Sequence, residues 1–196
     1  MVAIFNDKLY FITPIVNVPS ILEHGILSYK RSKSVQHGSV ALPPVQERRD
    51  KISVPNGLSL HEYANLYFNP RNAMMYKRRE MVDEICVIVV SGKVLSIENV
   101  VIADMNAAAL YARFMPPNEL ESLDFNTIYA KNWNHDDAEQ KDVHKKRMCA
   151  EVLVPDAVPP QAIQAIYVGN ETAKTTLETS GFPAEKIHIK PYLFFL

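Results

Sequence analysis

The run Met148-Cys149-Ala150-Glu151-Val152-Leu153-Val154 has the composition of a buried strand, interrupted by a single carboxylate. An unpaired charge is costly to desolvate, so a fold that buries this run must either leave Glu151 at a solvated sheet edge or point it into a cleft. Alternate side chains of a pleated strand share a face, which puts Glu151 on the side of Cys149 and Leu153, opposite Ala150 and Val152. Lys145-Lys146-Arg147 precede the run, and Pro155-Asp156 follow it.

Glu84 to Ser91, rich in β-branched residues and ended by Gly92, reads as a second buried strand. Lys8 to Thr13, Val100 to Ala103, Ala165 to Val168 and Lys186 to Phe195 read as further strands. A short helix is expected over Val18 to His24, with Asn17 as N-cap, Pro19 in the first turn and Gly25 just past the end. Other helices are expected over Arg71 to Met81, Asn106 to Arg113, Asn118 to Ala130 and Glu171 to Ser180, with a helical turn in Val45 to Asp50. Ser28 to Pro44 and Lys131 to Lys146 read as loops. The former carries Lys30, Arg31 and Lys33 and suits closure over an anionic ligand. Strands and helices do not alternate in βαβ fashion, and neither GxGxxG nor a P-loop is present. The expected class is therefore α+β with mainly antiparallel sheets. A length of 196 residues fits one domain, 1–196.

A net charge of −1 argues against a uniformly basic nucleic-acid binder. The cations are nevertheless grouped: Lys30, Arg31, Lys33, Arg48, Arg49 and Lys51; then Arg71, Lys77, Arg78 and Arg79; then Lys145, Lys146 and Arg147. Converging in space, they would make a local anion-binding surface. Tyr67, Arg71, Tyr76 and the lone Trp133 suit stacking on planar rings and tracking a single strand, or equally the edge of a core. Cys86 and Cys149 lie in apolar runs without metal-ligand spacing, so they read as core thiols in a reducing, cytoplasmic compartment, with no metal expected. No stretch approaches the roughly 18 apolar residues of a membrane span, and no membrane partner is expected.

Several ordered pieces together resemble a known family. These are Leu9-Tyr10-x-Ile12-Thr13 with Asn17, Ile21-Leu22 and Gly25; Val45-Gln-Glu-Arg-Arg49; Tyr67-Phe68-x-Pro70-Arg71 with Met74 and Tyr76; a tryptophan loop; and Ala150-Glu151-x-Leu153-Val154. The set is similar to the DarT toxins, DNA ADP-ribosyltransferases that work with the DarG macrodomain antitoxin. The resemblance implies an ADP-ribosyltransferase fold of two packed, mainly antiparallel sheets with peripheral helices and NAD in a central cleft. It implies transfer of ADP-ribose from NAD to a base of single-stranded DNA, thymidine or guanosine, and a DarG-type partner. On matched positions, Glu151 and Arg49 are the expected catalytic residues. Phe11, Thr13, Asn17, Arg48, Arg49 and Tyr67 are expected on the cofactor side, and Arg71, Met74, Tyr76 and Trp133 on the substrate side. The segment from Ser28 to Arg49 resembles the loop that covers NAD. Phe11 and Asn106 depart from the pattern, since each stands where relatives carry histidine.

These residue types suit the chemistry. Breaking a nicotinamide–ribose bond builds positive charge on the sugar, which a carboxylate such as Glu151 can stabilise. A guanidinium can grip a pyrophosphate with two parallel hydrogen bonds, or offset negative charge on the attacking base, better than an ammonium can. Two other readings stand beside this one: an enzyme of the same fold acting on RNA or protein, and a catalytically silent binding module.

Overall fold

The structure is a computed structural model and describes residues 4–39 and 43–196. Its strands are β1 (Lys8–Pro14), β2 (Ile26–Leu27), β3 (Tyr63–Tyr67), β4 (Ile85–Ser91), β5 (Val101–Ala103), β6 (Phe114–Met115), β7 (Glu151–Pro155), β8 (Ala157–Val158), β9 (Ile163–Val168) and β10 (Ile187–Ile189). The helices are α1 (Val18–His24), α2 (Tyr29–Ser32), α3 (Pro43–Arg49), α4 (Ala73–Arg78), α5 (Phe125–Ile128), α6 (Ala138–Arg147) and α7 (Glu171–Glu178). Eight strands form one sheet in the order β10-β9-β4-β1-β3-β7-β5-β6, and β2 with β8 forms a two-stranded ribbon. Within the large sheet only β9 and β10 pair in parallel.

The apolar run of β4 has no polar alternation because both faces of this strand are covered. Cys86, Ile88 and Val90 enter one core with Leu9, Val152, Ile166 and Leu177, while Ile85, Val87 and Val89 enter another with Tyr10, Ile12, Met75 and Phe194. β1 pairs with β4 over its whole length, from Lys8↔Ser91 to Pro14↔Ile85. Its other edge meets β3 at one pair only, Tyr10↔Tyr67. The sheet thus consists of two halves, β10-β9-β4-β1 and β3-β7-β5-β6, joined at a single rung. The expected two-sheet arrangement takes this form, with a cleft where the halves part. At the end of α1, Gly25 has a φ of +83°, and a Cβ there would lie 2.2 Å from the Val158 carbonyl oxygen, so both the turn and the close approach of the ribbon require glycine.

Four segments differ from the sequence reading. The Asn106 to Arg113 stretch is a series of turns and not a helix, because the Asn106 side chain accepts from Ala108 N–H and the Asp104–Arg113 ion pair (2.8 Å) closes it as the loop of the β5-β6 hairpin. The helix expected over Asn118 to Ala130 is broken into a 3-10 turn, Pro117–Ser122, and α5, which Asp124 restarts as N-cap. The expected loop Lys131 to Lys146 contains α6, a solvated helix with Asp137 as N-cap, an Asp142–Lys146 ion pair and four basic residues in its last turn. The final strand stops at Ile189, since Pro191 has no N–H for a ladder and opens a 3-10 turn. Among the described residues no helix is long and apolar enough to cross a membrane.

Candidate active site

β7 begins at Glu151, where the chain leaves α6 through the buried turn Met148-Cys149-Ala150. In the sheet Glu151 stands directly opposite Tyr67 on β3 and Ala103 on β5. Cross-strand partners share a face, so Glu151 lies on the side of Tyr63, Asn65 and Tyr67, which line the cleft. The carboxylate is completely buried. Arg49 Nη1 donates to both its oxygens, at 3.2 and 3.0 Å, and Ala107 N–H donates to Oε1 at 3.0 Å. Arg49, itself 6% exposed, lines the cleft, whereas Glu151 sits behind it. The charge in the apolar run is thus neither at an edge nor directly on the cleft wall; a guanidinium and a backbone amide compensate its burial.

The cleft has a volume of about 490 Å³, within the range of small-ligand sites. Phe11 to Pro14 of β1 form one wall, and Tyr63, Asn65 and Tyr67 of β3 the other. All three basic segments of the sequence reach it, through Arg48 and Arg49, Lys77, and Lys145 and Lys146. Lys30 and Arg31 of α2 instead pair with Glu62 and Asp156. Burial, reinforced by the neighbouring Glu151 charge, holds the Tyr67 hydroxyl well above its ordinary range, and burial pushes the Cys149 thiol up to about 12. Both remain protonated at neutral pH, so neither is a base there. Among the described residues no group of three or more His, Cys, Asp or Glu side chains is placed to hold a metal.

Asn17 makes no side-chain cap to α1, unlike its expected role. Its amide donates to Thr13 Oγ1 (3.0 Å) and Gly38 O (2.8 Å) and accepts from Gly38 N–H (2.7 Å), pinning the segment after α2 to β1. Phe11, Thr13 and Asn17 line the cleft together, and Phe11 also packs on the main core. Asn106 lines the opposite rim. Of the expected substrate-side residues only Met74 lines the cleft. Arg71, Tyr76 and Trp133 gather outside it around Phe195.

Three contributors escape a reading of the sequence. Ala107 acts through its N–H alone and has no side-chain signal. The Asp104–Arg113 pair holds the loop that presents it. His61 joins the elements around the site: its ring lies 4.2 Å from Tyr29 of α2, Nδ1 is 3.2 Å from Asp50 and Nε2 is 3.1 Å from Gln46, on either side of Arg49 in sequence.

Arg49 Nη2 is buried without a hydrogen-bond partner. A buried charged donor left in this state is expensive, and an anionic ligand oxygen would complete it. A basic cleft with apolar walls and an uncommitted guanidinium nitrogen fits a dinucleotide. The family model described as "ssDNA thymidine ADP-ribosyltransferase, DarT" matches residues 10–195. The chain is 33% identical over 181 residues to a DNA ADP-ribosyl transferase–DNA ADP-ribosyl glycohydrolase fusion protein of Thermosipho africanus, covering 87% of this chain but only 45% of the fusion. It is 32% identical over 183 residues to a DNA ADP-ribosyl transferase of Thermus sp., with 85% of each chain covered. Among solved structures, T. africanus DarTG in complex with ADP-ribose superposes with a TM-score of 0.85 (30% identity; 96% of this chain and 51% of that one). Thermus sp. 2.9 DarT in complex with ADP-ribosylated ssDNA superposes with a TM-score of 0.83 (25% identity; 99% of both chains). The cleft, its buried arginine–glutamate pair and these likenesses converge, and the chain belongs to the DarT family of single-stranded-DNA ADP-ribosyltransferases.

Proposed function

We propose that this chain, as one catalytic domain over 1–196, binds NAD in the cleft between β1 and β3 and transfers its ADP-ribose to a base of single-stranded DNA. The observation that carries the assignment of residues is the buried Arg49–Glu151 pair, whose second guanidinium nitrogen lacks a partner. NAD supplies an ADP-ribosyl group activated by nicotinamide as leaving group. Glu151 is the carboxylate that stabilises positive charge on the ribose, and Ala107 N–H fixes its orientation. Arg49 turns its free donor toward the pyrophosphate or the attacking base, loosening its hold on Glu151 as it does so. Thr13, whose oxygen accepts from Asn17, keeps its hydroxyl proton for the cofactor at the wall where Phe11 offers only a ring. Arg48 and Lys77 add positive charge to the cleft.

Thymidine, named in the family's description, is the first base to test, with guanosine beside it. A single strand is required because a duplex buries the base edge behind an unstacking cost of a few kcal/mol. The fusion relative joins a transferase to a glycohydrolase, which supports a DarG-type macrodomain antitoxin as partner of this chain. Two buried free thiols suit a reducing, cytoplasmic setting. Incubation with labelled NAD and separate pools of single-stranded DNA, duplex DNA, RNA and protein tests the whole reading. Label should enter single-stranded DNA alone and decline with salt; label in RNA or protein would replace the proposed acceptor.

A further inference from the structure

Helix α4 has two working sides. Ala73, Met74 and Lys77 face the cleft, whereas Tyr76 points into a group of rings beyond it. Tyr76 meets Trp133 at 5.5 Å and Phe195 at 5.1 Å, both edge to face, and Trp133 meets Phe195 at 5.9 Å. Arg71 lies 3.9 Å over Phe195, and Arg79 lies 4.3 Å over Tyr76. Neither Tyr76 nor Trp133 joins any of the three hydrophobic cores found among the described residues, and Tyr76 is 41% exposed. Phe195 holds its place with a left-handed backbone, φ 64° and ψ 30°, a conformation that costs a phenylalanine on the order of 1 kcal/mol or more and persists only where surroundings impose it.

We propose that this aromatic–arginine cluster is a platform on which the single-stranded DNA outside the cleft stacks its bases, the nucleotides flanking the modified one. The proposal rests on the DNA-transferase reading and adds a second contact zone to it. Rings exposed among guanidiniums match a nucleic acid strand in both shape and charge: the π-faces receive bases, and the cations receive phosphates. A strand leaving the cleft need cross only the width of α4, about 10 Å, to reach the platform. Bases unpaired in this way contribute affinity without being modified, so the platform makes the enzyme prefer longer strands.

Trp133 is the only tryptophan in the chain, so its fluorescence reports on the platform directly. Single-stranded DNA should quench it saturably, and abasic sites beside the target nucleotide should remove the quenching. Tyr76→Ala should raise KM for the oligonucleotide about tenfold while moving kcat less than about twofold, and Tyr76→Phe should restore KM. Thermal melting of both variants guards against misfolding. DNA that is modified efficiently yet leaves Trp133 fluorescence unchanged, with KM unaffected by Tyr76→Ala, overturns the platform and leaves the transferase reading standing. Absence of transfer to any DNA overturns the reading itself, and stronger quenching by RNA of the same sequence makes DNA the wrong occupant.

Discussion

One nitrogen of Arg49 bridges both oxygens of Glu151, at 3.2 and 3.0 Å, and thereby stands between the carboxylate and the cleft. The two residues are both paired and stacked in depth, so the effects of changing Glu151 divide into chemistry and stability. Glu151→Gln keeps the volume and an acceptor for Ala107 N–H, and should reduce transfer by about 100-fold or more while the protein stays folded. Glu151→Ala should also lower the melting temperature, because Arg49 is left as an uncompensated buried charge, a loss of about 3–5 kcal/mol. Kinetics and melting of the two variants separate the terms; full activity in Glu151→Gln would remove Glu151 from the mechanism.

Asn17→Ala deletes the three hydrogen bonds that tie Thr13 and Gly38 together. The segment following α2 should then come loose from β1, KM for NAD should rise several-fold, and limited proteolysis should cut earlier between residues 28 and 39. Unchanged proteolysis would mean that the segment is held elsewhere.

Phe11 packs on the main core while facing the cleft. Phe11→Ala should therefore both raise KM for NAD several-fold and lower the melting temperature. Phe11→His places an imidazole where it can reach the cleft, and should be tolerated with equal or tighter NAD binding. A Phe11→His protein with unchanged NAD kinetics and a markedly lower melting temperature would show that the ring serves the core alone.

Burial lowers the pKa of both His61 and His144 from the ordinary histidine value, although Asp50 pulls His61 the other way. A depressed histidine binds its proton more weakly folded than unfolded, so its contribution is fully present above about pH 6.5 and is lost as pH falls through the folded value. Melting temperature should fall on acidification below about pH 6.5. His61→Gln should flatten part of that slope, and an identical slope in the variant would place the titration elsewhere.

The parity of Glu151 with Leu153, the doubly buried β4 and the bounds of α1 could be read from residues because each depends on local periodicity and punctuation. α6 could not be read from its apolar pattern, since it has almost none; its only signals are Asp137 at one end and the basic residues at the other. The Ala-rich stretch after Asn106 misled in the opposite direction, because a hairpin closed by Asp104 and Arg113 overrides helix propensity. In the site, Arg49 and Glu151 were identifiable by residue type and resemblance, but their direct contact was not, as 102 positions separate them. The likeness of Arg71, Tyr76 and Trp133 to Met74 in the sequence concealed that α4 sends them to different sides.

The single rung between Tyr10 and Tyr67 also has a mechanical consequence. A continuous sheet resists changes of angle because every ladder bond along a shared edge would have to stretch. Here each half keeps its own ladders intact, and rotation about one residue pair changes only the gap between them. Cleft width is therefore a soft coordinate of an otherwise stiff molecule, and Tyr10 with Tyr67 is its hinge pin. Admission of a dinucleotide and release of a modified strand can both proceed by flexing there, without melting any element of the fold.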